Sequence, residues 1–382
     1  MATYVDFHVI QTVPPSCINR DDTGSPKSAM YGGVRRHRVS SQAWKRATRL
    51  EFNKFAPKEA AGIRTKRVID CVAEAIKEKR SDLAENASAL AKAVLDAGGV
   101  KWAKKSQKDE ENAGNPDSSY LWFVSRLQIT ALADLAIASS DSGEKVSAKE
   151  AKAALKSMNS YDLALFGRMV ADDKDMNVDA ACQVAHAIST HAAEQEFDYF
   201  TAVDDVKSAD SEADAGAGMI GTVEFTSSTL YRYATVNLDA LEESLGDAES
   251  ACRAVQAFGQ AFIASMPTGK QNTFANRTLP EAVYVAIRSD QPVSLVQAFE
   301  KPVMAKHGQG YSQESIKKLA QCEKDLEGAY GVTPERGFVI SLNVEVPEFL
   351  ALGEKISFAE LGDKLAEALS TDTGQLNAEV TQ

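Results

Sequence analysis

The chain has 382 residues, of which 44% are hydrophobic and 25% are charged, a composition that excludes disordered and fibrous proteins and predicts one large or two modest domains. The net charge of −12 argues at first against a nucleic-acid partner, because phosphate binding depends on basic surface. Residues 1–50, however, carry eight Lys or Arg against three Asp or Glu, so this part of the chain is locally basic.

Membranes, metals and disulfides are not expected from the sequence. No apolar run approaches the roughly 18 residues that cross a bilayer, and the first residues lack a secretory signal, so we expect a cytoplasmic protein with no membrane contact. The five cysteines are odd in number and form no CxxC motif, and the five histidines are scattered. We therefore expect no metal, no cofactor and no catalytic residue.

The first predicted elements are a strand and a basic helix. Residues 4–13 are rich in β-branched and aromatic residues and predict a strand, which Pro14-Pro15 should end. A long loop is predicted next. From Ser40 the run SSQAWKRATRLEF lacks Gly and Pro, so it predicts a helix with Ser40 or Ser41 as N-cap. Its expected apolar stripe consists of Ala43, Ala47 and Leu50.

Further along the chain, helical and strand patterns alternate. Residues 58–158 show helical periodicity around a polar loop at 104–118, and residues 192–221 are too weakly apolar to pack alone. Strands are predicted at 162–170, 181–190, 222–238, 281–288 and 337–344, and helices at 239–265, within 312–329 and near 358–369. This order predicts an α+β fold with a ferredoxin-like or RRM-like sheet split by two insertions.

Residues 23–50 are the most distinctive stretch, because they contain no acidic residue. They hold seven cations: Lys27, Arg35, Arg36, Arg38, Lys45, Arg46 and Arg49. On the helix, Gln42, Lys45, Arg46 and Arg49 follow one another at spacings of three and four and can track a phosphate backbone. The helix start near Ser40 adds N–H donors, and Gly32-Gly33 permits close backbone approach. A solvated face, or a patch for an acidic protein, is the alternative interpretation.

Residues 192–216 contrast with this stretch, since they hold eight acidic residues and one lysine. The segment also contains Phe197, Tyr199, Phe200 and Val203. Apolar side chains of this kind can wedge between bases or stack on them without any cation. From the residues alone, a simpler role is favoured, in which they anchor the insertion to the core.

Asp21 and Asp22 form a third candidate functional site. Paired carboxylates can hold a metal or act as acid and base, but neighbouring Asp residues are also common in turns, and the turn is the favoured interpretation.

Six ordered motifs then cover most of the chain: PPSCINRDD at 14–22, YGGVRRHRVSSQAWKRATR at 31–49, LFGRM at 165–169, VAHAISTH at 184–191, DYFTAVDD at 198–205 and FTSSTLYRYATVNL at 225–238. Together they resemble the CasC family, the backbone subunit of the type I-E CRISPR Cascade complex, within the RAMP superfamily. Trp44 and the Ala/Asp/Gly run at 207–221 depart from the pattern expected of that family.

The resemblance implies a hand-shaped subunit. Its RRM-like palm would comprise residues 1–57, 161–191 and 222–382, with a helical finger insertion at 58–160 and a protruding thumb insertion at 192–221. Copies would stack head to tail on the guide RNA (crRNA), and each thumb would kink the guide and flip a base. The other bases would stay exposed for pairing with target DNA in antiviral defence. The expected partners are crRNA, target DNA, further copies of the chain and the large, small, guide-processing and tail-end Cascade subunits.

Site residues follow from the same resemblance. The RNA-binding candidates are Arg20, Ser40, Gln42, Lys45, Arg46, Arg49 and Met169, together with Arg35 and Arg38 from the basic stretch. The thumb wedge would consist of Tyr199, Phe200, Thr201 and Val203. A metal-dependent RNase of the type III backbone kind, using Asp21 or Asp22, is the alternative function.

Overall fold

A computed structural model gives the structure of the chain. It describes residues 2–103, 114–170, 173–202, 219–305, 309–342 and 346–379, with side chains as far as residue 370. Within these ranges, no helix is both long and apolar enough to cross a membrane. The chain forms two compact units. The first comprises residues 1–51, 184–235 and 259–362, and the second comprises residues 52–183, 236–258 and 363–382.

The described part of the chain contains twelve strands, ten of which form one sheet. They are β1 (Tyr4–Ser16), β2 (Ser28–Tyr31), β3 (Val34–Val39), β4 (Ile63–Thr65), β5 (Trp122–Val124), β6 (Cys182–Val184), β7 (Ala187–Ser189), β8 (Glu196–Ala202), β9 (Met219–Asn237), β10 (Ala282–Arg288), β11 (Arg336–Ser341) and β12 (Glu354–Lys355). The sheet order is β12-β11-β10-β1-β9-β7-β3-β2; β6 and β8 also pair with β9, and β4 pairs with β5. The sheet is mostly antiparallel, and the predicted α+β class is confirmed.

Twelve helices accompany these strands in the described ranges. They are α1 (Ser41–Phe52), α2 (Val68–Lys79), α3 (Ala87–Ala97), α4 (Arg126–Ser142), α5 (Ala148–Lys156), α6 (Tyr161–Phe166), α7 (Leu238–Leu245), α8 (Ala248–Ala264), α9 (Gln271–Phe274), α10 (Ser312–Tyr330), α11 (Pro347–Leu350) and α12 (Leu361–Glu379). Short 3₁₀ helices include Val296–Phe299, which bears on the candidate site.

In the first unit, helices cover both faces of the sheet. Tyr231 of β9 packs in one apolar cluster with Tyr284 and the buried face of α10. The preceding residue, Leu230, packs in another cluster with Trp44 of α1. Successive side chains of a strand point to opposite faces of a sheet, so α1 and α10 lie on opposite faces.

The second unit is built around helices α2 to α5, whose buried stripes pack with Trp122 and Val124 of β5. Ser125 starts α4 with a capping box: its hydroxyl accepts a hydrogen bond from the Gln128 N–H at 2.9 Å, and the Gln128 side chain accepts one from the Ser125 N–H at 3.0 Å. This pair satisfies two donors that a helix start otherwise leaves open. The helical prediction for residues 58–158 is confirmed for these elements, whereas most of the predicted 104–118 loop lies outside the described residues.

Several element predictions are wrong in instructive ways. Residues 162–170 were expected to be a strand, but α6 occupies Tyr161–Phe166, because a short run of buried apolar residues does not distinguish strand from helix. The long loop expected after β1 contains the β2–β3 hairpin. The helix predicted at 239–265 is two helices, divided at Gly246, whose φ of 93° is left-handed.

Candidate nucleic-acid interface

Helix α1 is fixed at its start by Ser40. The Ser40 hydroxyl accepts a hydrogen bond from the Ala43 N–H (3.3 Å), and the Ser40 N–H donates to the Asn19 side chain at 2.9 Å. Ser40 is therefore the N-cap, one of the two residues predicted for that role. The bond to Asn19 also ties the helix start to the loop that carries Arg20.

The underside of α1 is held by Trp44. This indole is 1% exposed, and the Arg232 guanidinium lies 3.8 Å from the centre of its ring. Burial lowers the pKa of Arg232 to about 9. The predicted apolar stripe is wrong for Leu50, which is 57% exposed, because the buried face passes through Trp44, Ala47 and Thr48 instead.

The opposite side of α1 carries the predicted polar group. Gln42 and Arg46 are exposed, and Lys45 and Arg49 are half-exposed. Among the described residues, no carboxylate forms an ion pair with Arg20 or Arg46. A helix with a fixed base and these cations on its outer face can follow a chain of phosphates.

Arg36 does not belong to this exposed set, although it lies within the basic stretch. It is fully buried, and its guanidinium donates to the backbone carbonyls of Tyr31 (3.1 Å), Ser189 (3.1 Å) and Phe299 (2.7 Å). Burial lowers its pKa. Arg36 therefore joins the β2–β3 hairpin to β7 and to the 3₁₀ helix that ends at Phe299.

Gly32 and Gly33 form the turn of that hairpin, with φ values of 58° and 76°. A Cβ atom on Gly32 would lie 1.7 Å from the Glu300 carbonyl oxygen. The close approach that this glycine permits is thus to the protein's own backbone.

Arg38 and His186 extend the basic surface beyond α1. Arg38 donates through its guanidinium to His186 Nδ1 at 3.1 Å, and the Ser41 N–H donates to the same nitrogen at 3.2 Å. Both partners are donors, so Nδ1 carries no proton. Burial, Arg38 and Lys27 lower the pKa of His186. The imidazole thus joins β3 to the start of α1 as a neutral acceptor.

Arg35 lies at the root of β8. It is exposed, and its guanidinium donates to the Gln195 side chain at 3.1 Å, one residue before β8 begins. The Ala193 N–H also donates to the Arg35 carbonyl at 2.9 Å. Arg35 therefore connects the basic stretch with the segment predicted to form the thumb.

The Asp21 carboxylate is engaged within its own turn. It accepts hydrogen bonds from the Thr23 hydroxyl (2.7 Å) and from the N–H groups of Thr23 (3.0 Å) and Ser25 (2.9 Å). The Thr23 hydroxyl bond is the main cause of its lowered pKa. This geometry is that of the predicted turn former. In the described ranges, no group of three or more His, Cys, Asp or Glu is placed to hold a metal ion.

The predicted wedge residues lie on a two-stranded antiparallel ribbon, formed by β8 and residues 219–225 of β9. Tyr199 pairs with Thr222, Phe200 with Gly221, and Thr201 with Ile220. Side chains alternate between the two faces, so Tyr199 and Thr201 share one face and Phe200 lies on the other. Val203 lies outside the described residues.

The Phe200 ring packs over Gly221 of the partner strand. A Cβ atom on Gly221 would lie 2.5 Å from Cζ of the Phe200 ring, so the ring crosses the partner strand where that strand has no side chain. Phe197 (65%), Tyr199 (64%) and Ile220 (60%) remain exposed on the opposite face. Ile220 was not among the predicted wedge residues, and the strand pattern predicted from residue 222 begins just after it.

Met169 belongs to the second unit and is 85% exposed. The preceding Arg168 is buried and donates to the carbonyls of Phe123 (3.1 Å), Leu155 (2.8 Å) and Met176 (3.0 Å). Burial lowers the pKa of Arg168 to about 10. Arg168 thus anchors the chain directly before Met169, whose apolar side chain faces solvent, as a contact with a base would require.

Comparisons with known proteins agree on one family. Residues 5–364 match the family model described as "CT1975-like protein". A chain of a solved structure described as "CRISPR RNA-guided surveillance complex, pre-nicking" is 36% identical, with a TM-score of 0.83, and the match covers 96% of this chain and 100% of that one. A chain of a "CRISPR RNA-guided surveillance complex" is 31% identical, with a TM-score of 0.73, over 96% of this chain and 99% of that one. No curated protein matches.

Proposed function

Because the chain belongs to the CT1975-like family, whose solved relatives include chains of CRISPR RNA-guided surveillance complexes, we propose that it is a non-enzymatic guide-RNA-binding subunit of a type I-E Cascade. The observation that carries this proposal is the exposed polar face of α1, anchored from below by Trp44 and Arg232. The proposed contacts with the RNA backbone come from this face and from the residues next to it: Arg20, Arg35, Arg38, Ser40, Gln42, Lys45, Arg46 and Arg49.

The β8–β9 ribbon and Met169 are proposed to act on the RNA bases. Copies of the chain stack along crRNA, and the β8–β9 ribbon of one copy acts as a thumb that displaces a base of the guide. Tyr199, Phe200 and Thr201 supply apolar volume there, which suits stacking better than phosphate binding because the flanking segment is acidic. Met169 contacts bases, and those left free pair with target DNA. The other Cascade subunits complete the assembly, in which this chain forms an RRM-like palm with finger and thumb insertions.

The alternative function, cleavage of RNA through Asp21 or Asp22, has less support. Asp21 already accepts three hydrogen bonds in its own turn, and an acid–base or metal-binding role would compete with them. An assay with complementary RNA and a divalent metal separates the two functions, since cleavage lost in Asp21→Asn or Asp22→Asn would favour the nuclease.

Charge reversal on α1 tests RNA binding directly. We expect Lys45→Glu combined with Arg46→Glu to weaken binding of a guide-length single-stranded RNA by about 2–3 kcal/mol and to flatten its salt dependence, because two phosphate contacts are lost. The measurement is the dissociation constant across a series of salt concentrations.

The matched control is Lys318→Glu with Lys324→Glu, which changes the net charge equally on α10, across the sheet. This variant should bind RNA nearly as the wild type does. Equal losses in both pairs would mean that total charge, rather than the α1 surface, governs binding, and the proposal would fail.

A further inference from the structure

The loop at residues 265–280, which contains the short helix α9, is not among the predicted RNA-binding residues, yet it also carries cations and no carboxylate. It contains Lys270 and Arg277 and no acidic residue, although Arg277 forms an ion pair with Glu51 of α1 at 3.4 Å. Its exposed residues Gln271, Asn272 and Thr273 carry amide and hydroxyl groups. Such groups commonly donate hydrogen bonds to phosphate and sugar oxygens in nucleic-acid complexes.

This loop packs directly against the segment that carries Arg20. A Cβ atom on Gly269 would lie 2.4 Å from the Ile18 carbonyl oxygen, so the two backbones are in contact. Residues 18–24 and Gly269 together line an open cavity of about 530 Å³. The loop therefore forms one wall of the depression on whose other side Arg20 lies.

Two further contacts place the loop between α1 and the β8–β9 ribbon. Arg277 and Arg46 line a second cavity of about 220 Å³, whose apolar lining includes Leu50 and Met266. Three residues before Arg277, the Phe274 ring lies 6.0 Å from that of Phe225, which ends the paired part of the ribbon. A strand of RNA that passes from α1 to the ribbon would cross this loop.

Lys270 directly follows Gly269, the residue whose backbone contacts Ile18. Burial raises the pKa of the Cys17 thiol. Arg20 and Lys270 oppose that rise, whereas Asp21 and Glu224 reinforce it. Among the described residues, no carboxylate forms an ion pair with Lys270. Its backbone has a φ of 47°, a left-handed conformation that costs free energy in any residue other than glycine.

We propose that residues 268–277 form a further binding element for the sugar-phosphate strand of an RNA, with Lys270 as its phosphate contact. The inference rests on the proposed function and extends it to a surface distinct from α1. Nucleic acid fits the loop better than a protein partner does, because the tip at residues 271–273 is polar and exposed, whereas the core of a protein interface is apolar.

The test uses the intact chain and a guide-length single-stranded RNA of mixed sequence. Lys270→Ala should weaken binding about 3- to 10-fold at moderate salt and make the plot of log affinity against log salt shallower by about 0.7, the value for one phosphate contact on a single strand. Lys270→Arg should retain the wild-type slope. Lys324→Ala, on the opposite sheet face, is the matched control and should leave both quantities unchanged.

Lys270→Gly separates binding from folding. Glycine accepts the left-handed backbone, so this variant should melt at a higher temperature than the wild type and yet bind RNA as weakly as Lys270→Ala. A wild-type salt slope in both Lys270→Ala and Lys270→Gly would overturn the inference.

Other outcomes separate the inference from the proposed function. If the wild-type chain itself shows no salt-dependent RNA binding, the proposed function fails. If the Lys45→Glu, Arg46→Glu variant loses RNA and the Lys270 variants do not, only the loop assignment is wrong. Should Lys270→Ala keep the RNA affinity of single copies but prevent copies from assembling on a long RNA, the loop is a protein contact, which also overturns the inference.

Discussion

The outer face of α1 and the β8–β9 ribbon present two different surfaces. The α1 face is charged, and a buried indole and a buried guanidinium lie directly beneath it. The ribbon exposes aromatic and aliphatic side chains on an acidic segment, and the Phe200 ring packs on Gly221 of the partner strand. The first surface suits a phosphate chain, and the second suits bases.

The comparison of the two surfaces shows that the residues that fix a surface in place differ from those that give it its charge. On α1, the cations stay accessible because Trp44, rather than a cation, fills the core position. On the ribbon, apolar side chains remain exposed because a two-stranded ribbon has no second layer to cover them. Variants that act on one surface should therefore leave the other unchanged, and the following predictions test this separation.

The largest effect is expected beneath α1. Trp44→Ala should lower the free energy of unfolding by about 3–5 kcal/mol, because it opens a cavity below the helix and removes the ring that packs on the Arg232 guanidinium. Urea denaturation measures the change. Leu50→Ala, on the exposed side of the same helix, should change stability by no more than about 0.5 kcal/mol. Equal effects in the two variants would show that α1 is not anchored by its tryptophan.

Low pH should lower the stability of the packing beneath α1, because this packing includes a buried histidine. His37 is buried on β3, its Nδ1 lies 2.7 Å from the Ser228 hydroxyl, and burial, with a contribution from His191, lowers its pKa from 6.5 to about 4. The stability that depends on the neutral ring is complete above pH 6.5 and is lost as the pH falls towards 4, because the unfolded chain binds the proton first.

The expected loss from this group is about 2 kcal/mol at pH 5. Because burial also lowers the pKa values of His8 and His191, urea denaturation of the wild type and of His37→Gln at pH 7 and pH 5 measures the His37 contribution as the difference between the two proteins. The imidazole NMR signals of His37 should show no titration midpoint between these values. A midpoint near 6.5 would contradict the buried, neutral ring. The β8–β9 ribbon contains no histidine, so it has no titrating imidazole of its own.

On the ribbon, the main effect should come from an aromatic ring. Phe200→Ala should cost about 1–2 kcal/mol of RNA affinity, the usual worth of one ring stacked on a base, and should leave the salt slope unchanged because no cation is lost. Tyr330→Ala, which removes an exposed aromatic ring at the end of α10, away from the ribbon, serves as the control. A changed salt slope, or unchanged affinity and guide protection, would count against the wedge.

The smallest effect is expected at Gly221, over which the Phe200 ring packs. Gly221→Ala should displace Phe200 and weaken RNA binding by about 1 kcal/mol or less, since the added methyl group meets the ring at 2.5 Å. In the Phe200→Ala background the same change should have no effect on RNA affinity. A double-mutant cycle measures this coupling, and additive losses would mean that Gly221 acts independently of the ring.

Some features of the site could be predicted from local sequence. The spacing of Gln42, Lys45, Arg46 and Arg49 places them on one side of α1 whatever the helix packs against, because helical periodicity is a local property. The Ser40 cap and the long β9 strand are local in the same sense. The palm, finger and thumb boundaries stay predictions, as do the RNA contacts themselves.

The tertiary structure decided what the same residue types do at neighbouring positions. Arg35, Arg36 and Arg38 look alike in sequence, yet Arg36 is buried because its strand position points to carbonyls more than 150 residues away. Gly32 and Gly221 are required by contacts with Glu300 and Phe200, which only the packing and register of the sheet bring near. Local sequence determines which side of a helix or strand a residue occupies; what lies opposite it depends on long-range packing.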